Sequence, residues 1–132
     1  MKITADTNVL VRALVGDNAI QSQIAQAALD GADLVALPLS ALCELVWVLS
    51  RGYKIGRADI SQALRRLIGA ANAAVNRPAA DAGLSVHDAG GDFADGVIAF
   101  EGKWLGADDF VSFDRQAVEL VAAQGRSARL LA

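Results

Sequence analysis

Short apolar runs alternate along the chain with longer segments whose apolar residues recur at helical spacing. The run 34–37 predicts a buried strand, whereas Ile60, Leu64, Leu67 and Ile68 share one face of a predicted helix. Strands that alternate with amphipathic helices are typical of an α/β domain with a mainly parallel sheet. The other predicted strands are 3–5, 73–75, 110–113 and 128–131, and the other predicted helices are 20–29, 41–49, 93–104, 117–123 and one that begins near Pro78.

Two of these helices are predicted in more detail. The helix 20–29 has one apolar stripe, formed by Ile20, Ile24, Ala27 and Ala28. Ser40 is predicted to cap the helix 41–49, which runs toward Gly52 and is apolar on nearly every side.

Length and composition indicate a compact protein without a membrane segment. The chain has 132 residues, which is the size of one domain, so we predict a single domain over 1–132. Hydrophobic residues make up 54%, but no apolar run approaches the ~20 residues of a membrane span, and the first residues lack a signal-peptide core. The single Cys43 cannot form an internal disulfide and is expected to be buried. These features predict a cytoplasmic protein.

The net charge of −3 is unusual for a protein that binds nucleic acid, because such proteins usually carry a basic surface. We attribute the deficit to several acids that share one site. Five basic residues fall close together, and they form either a solvated helix face or a patch that faces RNA. They are Arg51, Lys54, Arg57, Arg65 and Arg66.

Several acids stand where strands end or helices begin. Asp6 follows the first predicted strand, and Asp114 follows the strand 110–113. Because ligands of open α/β sheets bind outside the carboxyl ends of the strands, these two acids are expected to meet. Asp92 and Asp95 lie one turn apart at the start of the helix 93–104. Each acid also has an alternative role that needs no ligand. Asp6 and Asp114 can be N-caps or Asx-turn residues, whereas Asp92 can be an N-cap with Asp95 at N3, where the helix dipole favours an acid.

Glu44 is the one acid inside an apolar helix. Because residues 41–49 are apolar on nearly every side, its carboxylate is expected to be buried. A buried carboxylate needs a cation, which is either a metal ion or an arginine such as Arg51.

Carboxylates that converge on one pocket repel each other, and a hard divalent cation removes that repulsion. Oxygen ligands favour Mg²⁺ or Mn²⁺, and one Cys with one His cannot form a zinc site. A serine hydrolase would depend on His87, which lies in no nucleophile-elbow motif and is expected at the surface. The sequence also contains no Walker loop and no Gly-rich dinucleotide motif.

Four motifs in order resemble those of the PIN-domain family. The segments 6–10 (DTNVL), 42–49 (LCELVWVL), 91–99 (GDFADGVIA) and 110–114 (FVSFD) resemble its four acidic motifs. The length and the segment 11–17 (VRALVGD) resemble VapC-type toxins of type II toxin–antitoxin pairs.

The resemblance implies a PIN-like three-layer sandwich, with a parallel sheet of roughly five strands in the order 3-2-1-4-5 and helices on both faces. It implies an Mg²⁺-dependent endoribonuclease, for which Mn²⁺ can substitute, that acts on tRNA or rRNA. It also implies a homodimer that is inhibited by a small antitoxin, whose C-terminal segment covers the active site. Metal-activated water would leave a 5′-phosphate and a 3′-hydroxyl.

The resemblance also assigns roles to individual residues. The catalytic and metal-binding acids are Asp6, Glu44, Asp95 and Asp114, with Asp92 as the alternative position of the third acid. Asn8 and Ser112 match supporting positions. The basic residues predicted to contact RNA are Arg12, Arg51 and Lys54.

Two other functions remain open at this point. A non-catalytic PIN-like module would bind RNA or protein without cleaving it, and the full set of acids argues against it. An Mg²⁺-dependent phosphohydrolase would use a nucleophilic Asp with a second Asp two residues later, but position 8 is Asn.

Overall fold

The computed structural model describes all residues from Met1 to Ala132. The chain divides into two compact units, Met1–Asn76 and Arg77–Ala132, and each is described by itself. None of the helices combines the length and the apolar character needed to cross a membrane.

The first unit contains three strands, four α-helices and one π-helical turn. The strands are parallel, with β2 in the middle, and Val35 pairs with both Ile3 and Ala73. The elements are β1 (Lys2–Thr4), α1 (Thr7–Leu14), α2 (Ala19–Gly31), β2 (Leu34–Ala36), α3 (Leu39–Trp47), the π-helical turn Val48–Gly52, α4 (Arg57–Ile68) and β3 (Ala73–Ala74).

The second unit contains two parallel strands and three helices. Phe110 of the first strand pairs with Ala128 of the second. The elements are α5 (Arg77–Asp88), α6 (Phe93–Trp104), β4 (Phe110–Ser112), α7 (Arg115–Ala123) and β5 (Ala128–Leu130).

The predicted α/β class with parallel strands is confirmed, but the single five-stranded sheet is not. The strands form one sheet in the order 3-2-1 and a separate sheet of strands 4 and 5. Each strand is only two or three residues long, and none of the first three strands pairs with either of the last two.

The predicted stripe of α4 is confirmed. Ile60, Leu64 and Ile68 are buried, because they recur at the spacing that keeps one helix face toward the core, whereas Leu67 is half-buried. They share the core of the first unit with buried leucines of α1, α3 and the π-helical turn, namely Leu10, Leu42, Leu45 and Leu49.

The predicted stripe of α2 does not face the core. Ile20 and Ile24 are 73% and 65% exposed, and Ala27 and Ala28 are exposed with them. Ser22 and Ala25 are buried instead. The helix packs through small side chains, which allow two helices to approach closely, so the bulkier residues are left on the outer face.

Three further expectations about single residues are wrong or only partly met. Pro38, not Ser40, precedes α3, and no side chain caps that helix. His87 is buried, because it lies one turn after Gly83 and Leu84 on the face of α5 that packs inward. Cys43 is half-buried.

Two glycines set the position of α6 against α5. A Cβ at Gly96 would lie 2.3 Å from the carbonyl oxygen of Ala82, and one at Gly83 would lie 2.7 Å from the ring of Phe93. The two helices therefore approach more closely than any larger side chain would permit. This contact fixes the N-terminus of α6, where two of the predicted acids stand.

Candidate active site

Three of the predicted acids occupy the N-cap positions of helices. Asp6 precedes α1, Asp92 precedes α6 and Asp114 precedes α7. In each case Oδ1 accepts a backbone N–H of the first turn, at 3.0 Å from Val9, 3.1 Å from Ala94 and 3.3 Å from Ala117. The capping alternative is therefore correct for all three. It leaves Oδ2 of each carboxylate without a hydrogen bond, so capping and metal binding do not compete for the same oxygen.

Ser112 orients the strand end that carries Asp114. Its Oγ accepts the backbone N–H of Asp114 at 3.0 Å. The hydroxyl therefore fixes the turn between β4 and α7, and the cap bond then fixes the carboxylate. The supporting role that the resemblance gives to Ser112 stays a prediction.

Asp95 is the acid whose ionisation is perturbed. It is half-buried in the first turn of α6, beside Asp92. Burial raises the pKa of Asp95 above its ordinary value, and the negative charges of Asp92 and Asp114 raise it further. The second unit thus brings three of the predicted acids within electrostatic reach of one another.

Around Asn8, the first unit contains a hydrogen-bond network that the sequence did not suggest. Arg12 donates to Asp17 at 2.8 Å, to the Tyr53 hydroxyl at 2.9 Å and, more weakly, to Oδ1 of Asn8 at 3.4 Å. Tyr53 in turn donates to Asp17 at 3.0 Å. The Tyr53 hydrogen bond, opposed by desolvation and reinforced by Arg12, holds the pKa of Asp17 below its ordinary value. The guanidinium of Arg12 is therefore already engaged within the protein.

Glu44 is exposed, so the expectation that it is buried is wrong. Ser40, Glu44 and Trp47 follow each other at intervals of four and three residues, and together they form the outer face of α3. Trp47 is 62% exposed. The sequence pattern was misleading because it assigned an exposed tryptophan to the core. Glu44 forms no ion pair, which excludes the alternative of a structural pair with Arg51.

Arg51 and Lys54, the other predicted RNA contacts, are both exposed. Lys54 has a φ of 53°, a left-handed conformation that lets the chain turn sharply after the π-helical turn. Both side chains thus project from an irregular segment between two helices. Their contact with RNA stays a prediction.

The donor chemistry of the acids fits a hard divalent cation, because every predicted ligand is a carboxylate. No group of three or more His, Cys, Asp or Glu side chains is arranged to hold a metal ion as it stands. The ligand set named from the sequence therefore stays a prediction.

A family model described as the PIN domain matches residues 3–122. The chain belongs to the PIN domain family. The match extends over both units and includes every acid discussed above. PIN domains are generally nucleases and typically use divalent metals, so this chain has a nuclease-type fold. Neither a curated protein nor a solved structure matches it.

Proposed function

We propose that this PIN domain is an Mg²⁺-dependent endoribonuclease and the toxin of a type II toxin–antitoxin pair. The observation that carries the proposal is the placement of three acids in the second unit: Asp95 is half-buried in the first turn of α6, within electrostatic reach of Asp92 and Asp114. Helix capping alone would not require a third acid, Asp95, beside two that already cap helices. A site that binds a divalent cation would, because the cation offsets the repulsion.

A bound Mg²⁺ would lower the pKa of a water molecule and offset charge on the phosphate that is cut. The protein's own residues fix where the carboxylate oxygens lie. Asp92 and Asp114 are each held through Oδ1, so Oδ2 is presented in a fixed direction. Ser112 restricts the turn that carries Asp114. Asp95, which resists ionisation without a cation, would be the most responsive of the three to its arrival.

The first unit contributes the other members of the proposed catalytic set. Asp6 is fixed by the hydrogen bond that its Oδ1 accepts from the backbone of Val9, and Oδ1 of Asn8 accepts a weak hydrogen bond from Arg12. Glu44 projects from the outer face of α3. All three stand in motifs that resemble those of the family, and on that resemblance we propose that they take part in cleavage.

The toxin role is supported by the segment 11–17, which resembles VapC-type toxins. It includes Arg12 and Asp17, which form the ion pair in the hydrogen-bond network around Asn8. We propose tRNA or rRNA as substrate, a homodimer as the active form and a small antitoxin as inhibitor. Induced expression in bacteria is expected to arrest growth, and sequencing of RNA 5′ ends would locate the cut.

Cleavage of RNA by the purified protein tests the proposed reaction. We expect cleavage with Mg²⁺ or Mn²⁺, none with EDTA, and products with a 5′-phosphate. RNA binding without cleavage would instead indicate the non-catalytic module. A trapped aspartyl-phosphate would indicate the phosphohydrolase.

A further inference from the structure

Aromatic and basic side chains meet at the C-terminal end of α6, away from the acids at its start. We call Phe100, Lys103, Trp104 and Arg126 the distal patch. Arg126 lies over the Phe100 ring, with its Cζ 5.2 Å from the ring centroid. Trp104 follows Phe100 by one helical turn and is 77% exposed. An indole this exposed is not part of the core, so its face is accessible to a ligand.

The distal patch surrounds a cavity and borders a second one. The four residues line a cavity of about 400 Å³. Lys103 and Arg126 also line a neighbouring cavity of about 430 Å³, which extends to Ile98 and Val111. Both volumes lie in the range of small-ligand sites. The two cations thus stand between two concave surfaces, where a ligand can contact both.

The charges of the distal patch favour an anionic, planar ligand. Neither Lys103 nor Arg126 forms an ion pair with the protein. Two aspartates line the neighbouring cavity: Asp109 accepts hydrogen bonds from Ser127 and Arg129, whereas Asp108 has no such partner. No acid lines the cavity formed by the distal patch itself, so its charge is positive. Cations beside exposed aromatic rings are the combination that binds single-stranded nucleic acid, because the rings stack with bases and the cations contact phosphates.

We propose that the distal patch anchors a single-stranded part of the RNA substrate. One base stacks on Trp104, and backbone phosphates contact Lys103 and Arg126. This inference rests on the proposed ribonuclease function for the identity of the ligand. The twelve residues of α6 span about 18 Å between the acids and Trp104. That distance corresponds to about five nucleotides of a helical strand at ~3.4 Å each. The anchor therefore holds RNA several nucleotides from the bond that is cut.

Binding without cleavage tests the anchor separately from the reaction. We would measure fluorescence anisotropy of a labelled 20-nucleotide single-stranded RNA, and of a 3-nucleotide RNA, in EDTA. Trp104→Ala is expected to weaken binding of the longer RNA by about 5- to 150-fold, the usual effect of losing one stacked base. The 3-nucleotide RNA should lose affinity as well, because the patch itself contacts one base and its neighbouring phosphates. Leu105→Ala is the matched control, since Leu105 is 88% exposed and lines neither cavity.

The salt dependence of RNA binding tests the two charged residues of the distal patch. Lys103→Ala and Arg126→Ala should each reduce the slope of log affinity against log salt by about 0.7, the value for one phosphate of a single strand. Lys2→Ala, which removes an exposed cation from β1 in the other unit, should leave the slope unchanged. Thermal unfolding of each variant would show that the fold is retained.

Tryptophan fluorescence gives an independent readout. The chain has two tryptophans, so in a Trp47→Phe background Trp104 is the only one left. Its emission should be quenched when the 20-nucleotide RNA binds. Equal affinity of Trp104→Ala and wild type, no quenching, or no RNA binding by the wild type would each overturn the anchor. If Trp104→Ala is a monomer where the wild type is a dimer, and its RNA affinity is unchanged, the anchor is also overturned, because the patch then binds a second copy of the chain.

The experiments distinguish failure of the anchor proposal from failure of the ribonuclease proposal. If Trp104-dependent binding is found but RNA is never cut, the anchor stands and the ribonuclease proposal falls. If RNA is cut but binding does not depend on the distal patch, only the anchor falls.

Discussion

Replacement of Asp95 by Asn should stabilise the metal-free protein and at the same time abolish RNA cleavage. Asp95 is half-buried, and its pKa is raised by burial and by the charges of Asp92 and Asp114. At neutral pH its ionised form is therefore a cost to the folded state. The Asp95→Asn substitution keeps the shape of the side chain and removes the charge.

The size of the effect follows from the neighbours of Asp95. A like-charge pair at this spacing on a helix costs about 0.2–0.5 kcal/mol, and Asp114 adds a second repulsion. Removing a negative charge from the first turn of α6 forfeits about 0.3–1 kcal/mol of helix-dipole stabilisation, but burial of the charge adds to the gain. We expect a net stabilisation of about 0.5–1 kcal/mol, which is about 2–4 °C in Tm for a chain of this length.

The pH dependence gives the sign of the effect. Below the ordinary Asp pKa of 3.8, Asp95 is neutral in both the folded and the unfolded protein, so the variant has no advantage. As pH rises, the unfolded chain ionises first, and the wild type loses stability until the pH exceeds the raised pKa of the folded state. The advantage of the variant is therefore complete at neutral pH.

Thermal unfolding with EDTA and with Mg²⁺ measures both parts of the prediction. At ten times its Kd, Mg²⁺ should stabilise the wild type by about 1.4 kcal/mol. Asp95→Asn should lose most of this gain. A variant that is less stable than the wild type in EDTA and is stabilised by Mg²⁺ as much as the wild type would refute the reasoning.

Three other substitutions test separate parts of the structure. Asp6→Asn should abolish cleavage with a change in stability below about 0.5 kcal/mol, because Asn caps a helix nearly as well as Asp; a fully active variant would reduce Asp6 to a cap. Glu44→Gln should also abolish cleavage with a change below about 0.5 kcal/mol in EDTA, because the side chain is exposed; a loss of several kcal/mol would mean that Glu44 is structurally paired. Gly96→Ala should cost about 1–3 kcal/mol or more in urea unfolding, because its Cβ would lie 2.3 Å from a backbone oxygen of α5. Gly102→Ala on the same helix meets nothing within 4 Å and should be neutral or stabilising.

The parts of the fold that the sequence predicts well are those with a strong period. The predicted helix 93–104 has the bounds of α6, and the stripe of α4 is buried as expected. In both, large apolar residues repeat at helical spacing, although the repeat of α6 is buried only at Phe93 and Val97 and ends at the exposed Trp104.

The prediction fails where a bulky apolar residue is exposed or a small residue is buried. Ile20 and Trp47 count as core residues in any sequence pattern, yet both are exposed, and Ser22 is buried in place of Ile20 on α2. The burial of Glu44 is mispredicted for the same reason, because Trp47 makes its helix look apolar on every side.

The candidate site also has residues that the sequence reveals and residues that it does not. Asp6, Asp92 and Asp114 can be found because they stand at strand ends and helix starts, positions that are visible in the sequence. The partnership of Arg12 with Tyr53 joins residues 41 positions apart, and no local pattern indicates it. Only the tertiary structure brings such residues together.

The most direct test of the central claim is cleavage of total bacterial RNA by the purified protein, with the ends of the products sequenced. We expect cuts at defined positions with Mg²⁺, products that carry a 5′-phosphate, no cuts in EDTA, and no cuts by Asp95→Asn. Cleavage that continues in EDTA, or cleavage by Asp95→Asn at the wild-type rate, would contradict the claim that these carboxylates act through a divalent metal.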